Sequence, residues 1–267
     1  MVSKKQRFNQ ICKDIKSIKI QGAKNIAKAG FRAYKMFPYS STKNKLLSLR
    51  STEPMLENLL NQADTLSYSQ LLQKLKQNQD LINKNTYKLI KNNSVIFTHC
   101  HSSSIIQALI YSKNKGKKFE VYNTETRPLF QGRKTSKELK QAKIKTTMFV
   151  DDAARIALTT KPKPPNLVLF GADAITKKAT FNKVGSGMFA QIAKANNIPV
   201  YILTDSLKYT SKPITIEQRN KDEVWDTERK IKIKNPAFEA IERKYIKAII
   251  SELGTLSYSS FILLNTP

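Results

Sequence analysis

Ser94-Val95-Ile96-Phe97-Thr98-His99-Cys100-His101-Ser102-Ser103-Ser104 is the stretch on which the fold of this 267-residue chain turns. Before it, apolar residues recur at helical spacing; from it onward they gather in short runs. Val95-Ile96-Phe97 is followed by Phe119-Glu120-Val121-Tyr122, Thr147-Met148-Phe149-Val150, Leu167-Val168-Leu169-Phe170 and Val200-Tyr201-Ile202-Leu203. A last run lies at Ile246-Lys247-Ala248-Ile249-Ile250, and helix-like stretches at 102–114, 135–142 and 185–196 separate some of these runs. Strands apolar on both faces and alternating with helices predict a parallel sheet covered on both sides. Crossovers of this length are right-handed by default. Ligands of such sheets bind at the carboxyl ends of the strands, so chemistry is sought in the residues that follow each run.

Toward the N-terminus the pattern is helical. Phe8, Ile11, Ile15 and Ile18 recur at spacings of three and four, as one face of an amphipathic helix does. Met55, Leu56, Leu59 and Leu60 repeat the pattern, as do Leu71, Leu72 and Leu75, with Ser67 and Ser69 placed to cap the last helix. β-Branched clusters are scarce before residue 90, so the first third reads as a helical domain.

Composition narrows the classes. Hydrophobic residues make up 40% and charged residues 25%, a globular profile. No apolar run approaches the ~18–20 residues of a membrane span, and no apolar stretch follows the charges of Met1-Val2-Ser3-Lys4-Lys5-Gln6-Arg7, so neither a span nor a signal peptide is expected. Cys12 and Cys100 make no disulfide framework, which points to a reducing cytoplasm. The net charge of +27 would suit nucleic acid. However, 38 of the 47 cations are lysines scattered along the chain, and lysine is a poorer choice than arginine for bidentate readout of bases or phosphates. An abundance of Lys, Asn and Ile follows from A/T-rich codons, so a lysine-drifted surface is favoured and nucleic acid is not expected as a partner.

Every expected strand ends in polar or ionisable residues. The first loop is the richest: Ser102, Ser103 and Ser104 stand at the start of a helix, where free backbone N–H groups and hydroxyls can hold a phosphate. Cys100 lies just before that positive end, which is expected to lower its thiol pKa from about 8.5 and favour the thiolate. His99 and His101 flank it, but neighbours on a strand point to opposite faces and no second Cys–His group completes a zinc site, so no metal is expected. Asp173 follows Gly171-Ala172 after an apolar strand, as a turn cap or as an acid with a raised pKa. Asn182-Lys183 with Gly185-Ser186-Gly187 opens the next helix as a turn or a second anion cradle. Neither GxxxxGK[ST] nor GxGxxG occurs, so nucleotide hydrolysis and dinucleotide binding lack their motifs.

In this order these residues resemble the family that joins sugar-phosphate isomerases to regulatory subunits of the eukaryotic translation-initiation exchange factor 2B. The matching strings are Thr98-His99-Cys100-His101-Ser102, Thr124-Glu125-Thr126-Arg127-Pro128 with Gln131-Gly132, Gly171-Ala172-Asp173-Ala174-Ile175, Asn182-Lys183-Val184-Gly185 and Asn235-Pro236-Ala237-Phe238. Weaker matches lie at Gln21-Gly22-Ala23-Lys24 and Arg50-Ser51-Thr52-Glu53-Pro54. The likeness is greatest to the archaeal ribose-1,5-bisphosphate isomerases. Active members keep the cysteine and aspartate that stand here as Cys100 and Asp173, and Cys100-His101-Ser102 differs from the Cys-Asn of methylthioribose-1-phosphate isomerases. The sequence departs from the family at Gln21, where arginine is usual and Lys24 is placed to compensate. It departs also at Ser51, where proline is usual, and at 176–179, where a shortened turn is expected to shift the Asn182-Lys183 loop.

The resemblance implies an α/β protein: an N-terminal helical domain at 1–90 and a Rossmann-like catalytic domain with a mostly parallel sheet at 91–267. It implies conversion of ribose 1,5-bisphosphate to ribulose 1,5-bisphosphate in nucleotide breakdown, with Cys100 as proton acceptor, Asp173 as proton donor and no cofactor. Gln21, Gly22, Ala23, Lys24, Arg50, Ser102, Ser103, Ser104, Asn182, Lys183 and Lys208 are the implied substrate-binding residues, with Arg127 a further wall residue. The competing readings are a non-catalytic regulatory subunit and a methylthioribose-1-phosphate isomerase. Relatives assemble as dimers or hexamers of dimers, and Tyr209, Trp225, Phe238, Tyr245, Tyr258 and Phe261 are the aromatics expected to serve such a contact.

Overall fold

Five helices precede the first strand: α1 (Lys4–Lys16), α2 (Ala23–Met36), α3 (Ser40–Ser48), α4 (Pro54–Leu60) and α5 (Tyr68–Leu89). The computed structural model describes residues 2–50, 52–228 and 230–266. α1 and α5 each begin with a capping box, Ser3 with Gln6 and Ser67 with Gln70. Ser69 therefore lies inside α5, where its hydroxyl meets that of Ser67 at 3.0 Å. Phe8 and Ile15 face a core built from Ile26, Phe31, Leu46, Met55, Leu56, Leu59 and Leu60. Ile18 falls beyond α1 in a left-handed conformation (φ 64°). α5 serves two cores: Leu71 and Leu75 pack among the helices, whereas Ile82 packs under the sheet.

The second part alternates as the apolar runs predict. β1 (Ser94–Thr98), α6 (Ser103–Asn114), β2 (Phe119–Thr124), α7 (Gln131–Gln141), β3 (Lys145–Phe149) and α8 (Ala154–Thr159) come first. They are followed by β4 (Leu167–Phe170), β5 (Ala174–Ile175), β6 (Ala179–Lys183), α9 (Ser186–Ala195) and β7 (Val200–Leu203). β8 (Phe238–Glu242), β9 (Ala248–Ser251), β10 (Gly254–Leu256) and α10 (Tyr258–Asn265) complete the chain. The main sheet has seven strands in the order β10-β9-β7-β4-β1-β2-β3. It is parallel except for β10, which runs antiparallel to β9. Alternation divides its side chains between two cores: Val95, Phe97, Val168 and Phe170 on one face, Ile96, Leu167 and Leu169 on the other.

Three features differ from the sequence reading. First, β3 is an edge strand rather than one covered on both faces: Met148 is exposed, as are Val150 and Ile156 beyond it. Lys145 pairs with Glu120 of β2 at 3.0 Å and keeps charge on that edge, which discourages strand addition. Second, β5, β6 and β8 form a separate antiparallel sheet. Apolar patterning does not mark this sheet, because β5 has two residues and β6 ends in the polar pair Asn182-Lys183, which the sequence presents as a loop. Third, Tyr209, Phe238, Tyr258 and Phe261 are buried within the chain, and Tyr245 packs against the same core. They cover the sheet's own faces, and of the six aromatics only Trp225 is exposed as a contact would require.

Gly132 fixes how α7 meets the sheet. A Cβ there would stand 1.7 Å from the carbonyl oxygen of Thr124, and the Gly132 carbonyl accepts a bond from Asn123 Nδ2 at 2.9 Å. Gly132→Ala must push α7 away from the end of β2, at an expected cost of about 1–3 kcal/mol. Calorimetric melting should show a midpoint several degrees lower; an unchanged midpoint would mean that α7 moves freely.

Candidate active site

β1 sits between β4 and β2, and the connections leave it in opposite directions, so the sheet order reverses there. Such a switch point opens a crevice at the strand ends. Cys100 follows β1 and Asp173 follows β4, which places them side by side although 73 positions separate them in the chain. Gly171 permits this approach: a Cβ there would come within 2.9 Å of Ser102 Oγ.

The Cys100 backbone is held in the left-handed region (φ 68°), a conformation that costs a non-glycine residue about 1–2 kcal/mol. Its N–H donates to Thr126 Oγ1 at 3.0 Å, and its carbonyl accepts from Thr135 Oγ1 at 2.8 Å. His99 ties the same loop to its neighbour. Its Nε2 faces the carbonyl of Val184 at 2.9 Å and must donate, which leaves Nδ1 to accept from Thr124 Oγ1 at 2.6 Å. Burial pushes the imidazole down to about 4, so this neutral form persists across physiological pH.

A cavity of about 290 Å³ opens over these residues. Cys100, Asp173 and all eleven substrate-binding candidates line it. Six cations face it (Lys24, Arg50, Lys134, Lys183, Lys208 and Arg219) against the carboxyls Glu53, Glu138 and Asp173. Arg127 is absent from the lining; its guanidinium turns outward to the carbonyl of Val224 at 3.1 Å.

The charge states differ from the sequence expectation at the cysteine. Cys100 keeps some surface toward the cavity, but the surrounding protein removes water from the thiol, and burial pushes it up to about 11, with Lys183 opposing. The helix end therefore does not produce a resting thiolate. Asp173 is also raised by burial, against the pull of Lys208, Lys183 and Arg50. Burial thus raises both groups of the pair, so each holds its proton to higher pH than it would in water.

The phosphate elements are built as expected at one helix end and differently at the other. Ser102 makes no side-chain cap bond to α6, so hydroxyls and first-turn N–H groups there remain available to an anion. Lys24 reaches this end from α2 and donates to Gln79 Oε1; Gln79 Nε2 in turn donates to the Ser104 carbonyl at 3.2 Å. Burial pushes Lys24 down to about 8, with Asp205 opposing. Lys208 donates to the carbonyl of Ala172, beside Asp173. At α9, by contrast, Glu239 Oε1 already accepts from the Gly187 N–H at 2.5 Å, so Gly185-Ser186-Gly187 is not a free anion cradle. Asn182 and Lys183 still reach the cavity from β6, because Thr176 and Ala179 close a tight hairpin that takes up the shortened turn. Ser51 lies outside the described residues.

Several lining residues escaped the sequence reading. Lys134 and Gln131 come from α7, and their signal was the Gln131-Gly132 match beside the helix start. Arg219 comes from a long irregular segment with no periodicity to read. Glu53 lay within the 50–54 string but only its position, not its burial, was visible. Among the described residues no group of three or more His, Cys, Asp or Glu side chains could hold a metal, and no helix is long and apolar enough to cross a membrane.

Fold and site together define a doubly wound α/β protein with a cysteine–carboxyl pair at the switch point of its sheet, in a cation-lined cavity. The chain belongs to the initiation factor 2 subunit family, which it matches over residues 19–258. It is 29% identical to ribose 1,5-bisphosphate isomerase of Archaeoglobus fulgidus, over 91% of this chain and 87% of that one. Identity to ribose 1,5-bisphosphate isomerase of Methanocaldococcus jannaschii is 38%, over 62% of this chain and 56% of the relative's length. The solved structure of the Pyrococcus horikoshii translation initiation factor eIF-2B superposes with a TM-score of 0.83 at 22% identity, over 94% of this chain and 97% of that one.

Proposed function

We propose that this protein is a sugar-phosphate isomerase that converts ribose 1,5-bisphosphate to ribulose 1,5-bisphosphate. The observation that carries the reading is the placement of Cys100 and Asp173, whose carboxyl burial raises, in one cavity lined by six cations. A ribose phosphorylated at carbon 1 has no free aldehyde, so isomerisation must open the ring by elimination. Asp173 gives its proton to the ring oxygen O4 as the C1–O4 bond breaks. The Cys100 thiolate takes the proton from C2, and that electron pair forms a C1=C2 enol phosphate. Cys100 then returns its proton to C1, the Asp173 carboxylate takes the proton of the O2 hydroxyl, and C2 becomes the ketone. Every proton taken is returned, and no net oxidation occurs.

The two reacting residues need opposite charge states. With the thiol pushed up to about 11, thiolate is scarce near neutral pH, so the active form, thiolate with carboxylic acid, is a minor one. kcat/KM should then rise as the first proton leaves the pair, hold level, and fall near pH 11 as the second leaves.

Six cations suit two phosphate dianions better than one, which favours the bisphosphate over 5-methylthioribose 1-phosphate. The test is to incubate the purified protein with each compound and assay the ketose. Ribulose 1,5-bisphosphate is expected, with a kcat/KM at least about 100-fold above that for the monophosphate, since losing one charge-assisted phosphate contact set costs about 3 kcal/mol. Binding without product would instead favour a regulatory subunit.

A further inference from the structure

Gln79 is a buried amide that lies behind the cavity wall and bonds to two of the residues that form it. It sits on α5, is 5% exposed and does not line the cavity, whereas Lys24 and Ser104 do. Lys24 Nζ donates to Gln79 Oε1. Gln79 Nε2 donates to the Ser104 carbonyl at 3.2 Å and to Asn83 Oδ1 at 2.7 Å. The partners fix the amide's orientation. An ammonium can only donate and a backbone carbonyl can only accept, so the oxygen must face α2 and the nitrogen must face α6. One amide group thus separates the Lys24 ammonium from the first turn of α6.

Seating α5 on α6 needs only the nitrogen side of this amide; the oxygen side is spent on a cation that has no counterion. Among the described residues Lys24 makes no ion pair, although burial desolvates it. The two carboxyls whose charge acts on it are turned to other donors. Asp205 accepts from Asn78 Nδ2 and from the Leu207 N–H, each at 3.1 Å, and Glu252 accepts from the Ser206 N–H at 3.1 Å. Other cavity cations are met by carboxylates: Arg50 by Glu217 at 3.2 Å, Lys134 by Glu138 at 3.8 Å and Arg219 by Glu217 at 3.2 Å. Lys24 is instead held by a neutral group, which leaves its charge for a ligand.

We propose that Gln79 is a positioning residue of the substrate site: it aims the Lys24 ammonium at the N-terminus of α6, so that the two hold one substrate phosphate together. The proposal rests on the isomerase reading above for the identity of that substrate. Lys24 supplies a full charge from α2, and the first-turn N–H groups of α6 supply directed donors. Lys24 thereby brings to this subsite the cation that Gln21 does not. Gln79 acts through Lys24 and touches no substrate atom itself.

A double-mutant cycle tests this. Gln79→Met keeps the length of the side chain and removes its bonds to Lys24 and Ser104. KM for ribose 1,5-bisphosphate should rise about 10-fold, with kcat changed less than about 3-fold. In a Lys24→Met background the same substitution should change KM less than about 2-fold, because no ammonium is left to aim. Equal rises in KM in the two backgrounds, or a loss confined to kcat, overturn the proposal. Lysine labelling of the wild-type protein is the second measurement and needs no folded variant. Acetic anhydride followed by peptide mass spectrometry reads each lysine separately. Saturating inorganic phosphate should slow acetylation of Lys24 at least about 5-fold, and that of the exposed Lys16 less than about 2-fold. No protection of Lys24 also overturns the proposal. Absence of wild-type turnover would strike at the isomerase reading, whereas protection by phosphate tests the anchor itself.

Discussion

Cys100→Ser should lower kcat on the order of 1000-fold or more while leaving the affinity for ribose 1,5-bisphosphate within about 3-fold of wild type. The thiol at about 11 is already a reluctant acid. A serine hydroxyl in the same desolvated position is weaker still by several powers of ten, so almost no alkoxide forms to take the proton from C2. Binding should be spared, because the proposed phosphate contacts are the cations of the cavity and the α6 N-terminus rather than the sulfur. Steady-state kinetics with calorimetric binding separates the two effects. Near-normal turnover in the serine variant would remove Cys100 from the role of base.

The second large effect is expected from Asp173→Asn, a loss of about 100- to 10,000-fold in kcat. The amide keeps the size and most of the packing of the carboxyl but cannot release a proton to O4. A further consequence separates this role from simple disruption. The negative charge of Asp173 raises the Cys100 thiol, so removing it must lower that thiol's pKa and increase the thiolate fraction at a given pH. Alkylation of Cys100 by iodoacetamide at pH 8 should therefore run faster in the Asn variant than in wild type, even as turnover collapses. Slower alkylation with lost turnover would point to a collapsed site, and unchanged turnover would remove Asp173 from the acid role.

Much of the fold was legible because it depends on short-range patterning. β4 and β7 have the bounds of their apolar runs, and β1, β2 and β9 fall within a few residues of theirs. A buried parallel strand must be apolar on both sides, and that leaves a local trace. The elements that escaped lack it. β6 carries Asn182 and Lys183 on a strand because both reach into the cavity, and β8 pairs with it across more than fifty residues of chain. The C-terminal aromatics misled for a related reason: composition shows that large side chains are present but not which surface they cover.

The site divides in the same way. The sequence by itself determined which chemical groups stand at the strand ends: the thiol of Cys100, the carboxyl of Asp173, the serines at the α6 start and the lysines beside them. Those follow from residue identity and from the rule that parallel strands present their carboxyl ends to ligand. Only the tertiary structure decided what those groups are. It reversed the expected direction of the Cys100 shift, filled the α9 helix end with Glu239, turned Arg127 away and buried Glu53 in the cavity wall. The physical reason is that a charge state is set by everything around the group. Desolvation at Cys100 comes from the whole enclosure of the cavity, and Asp173, whose charge adds to burial in raising Glu53, lies 120 positions further along the chain.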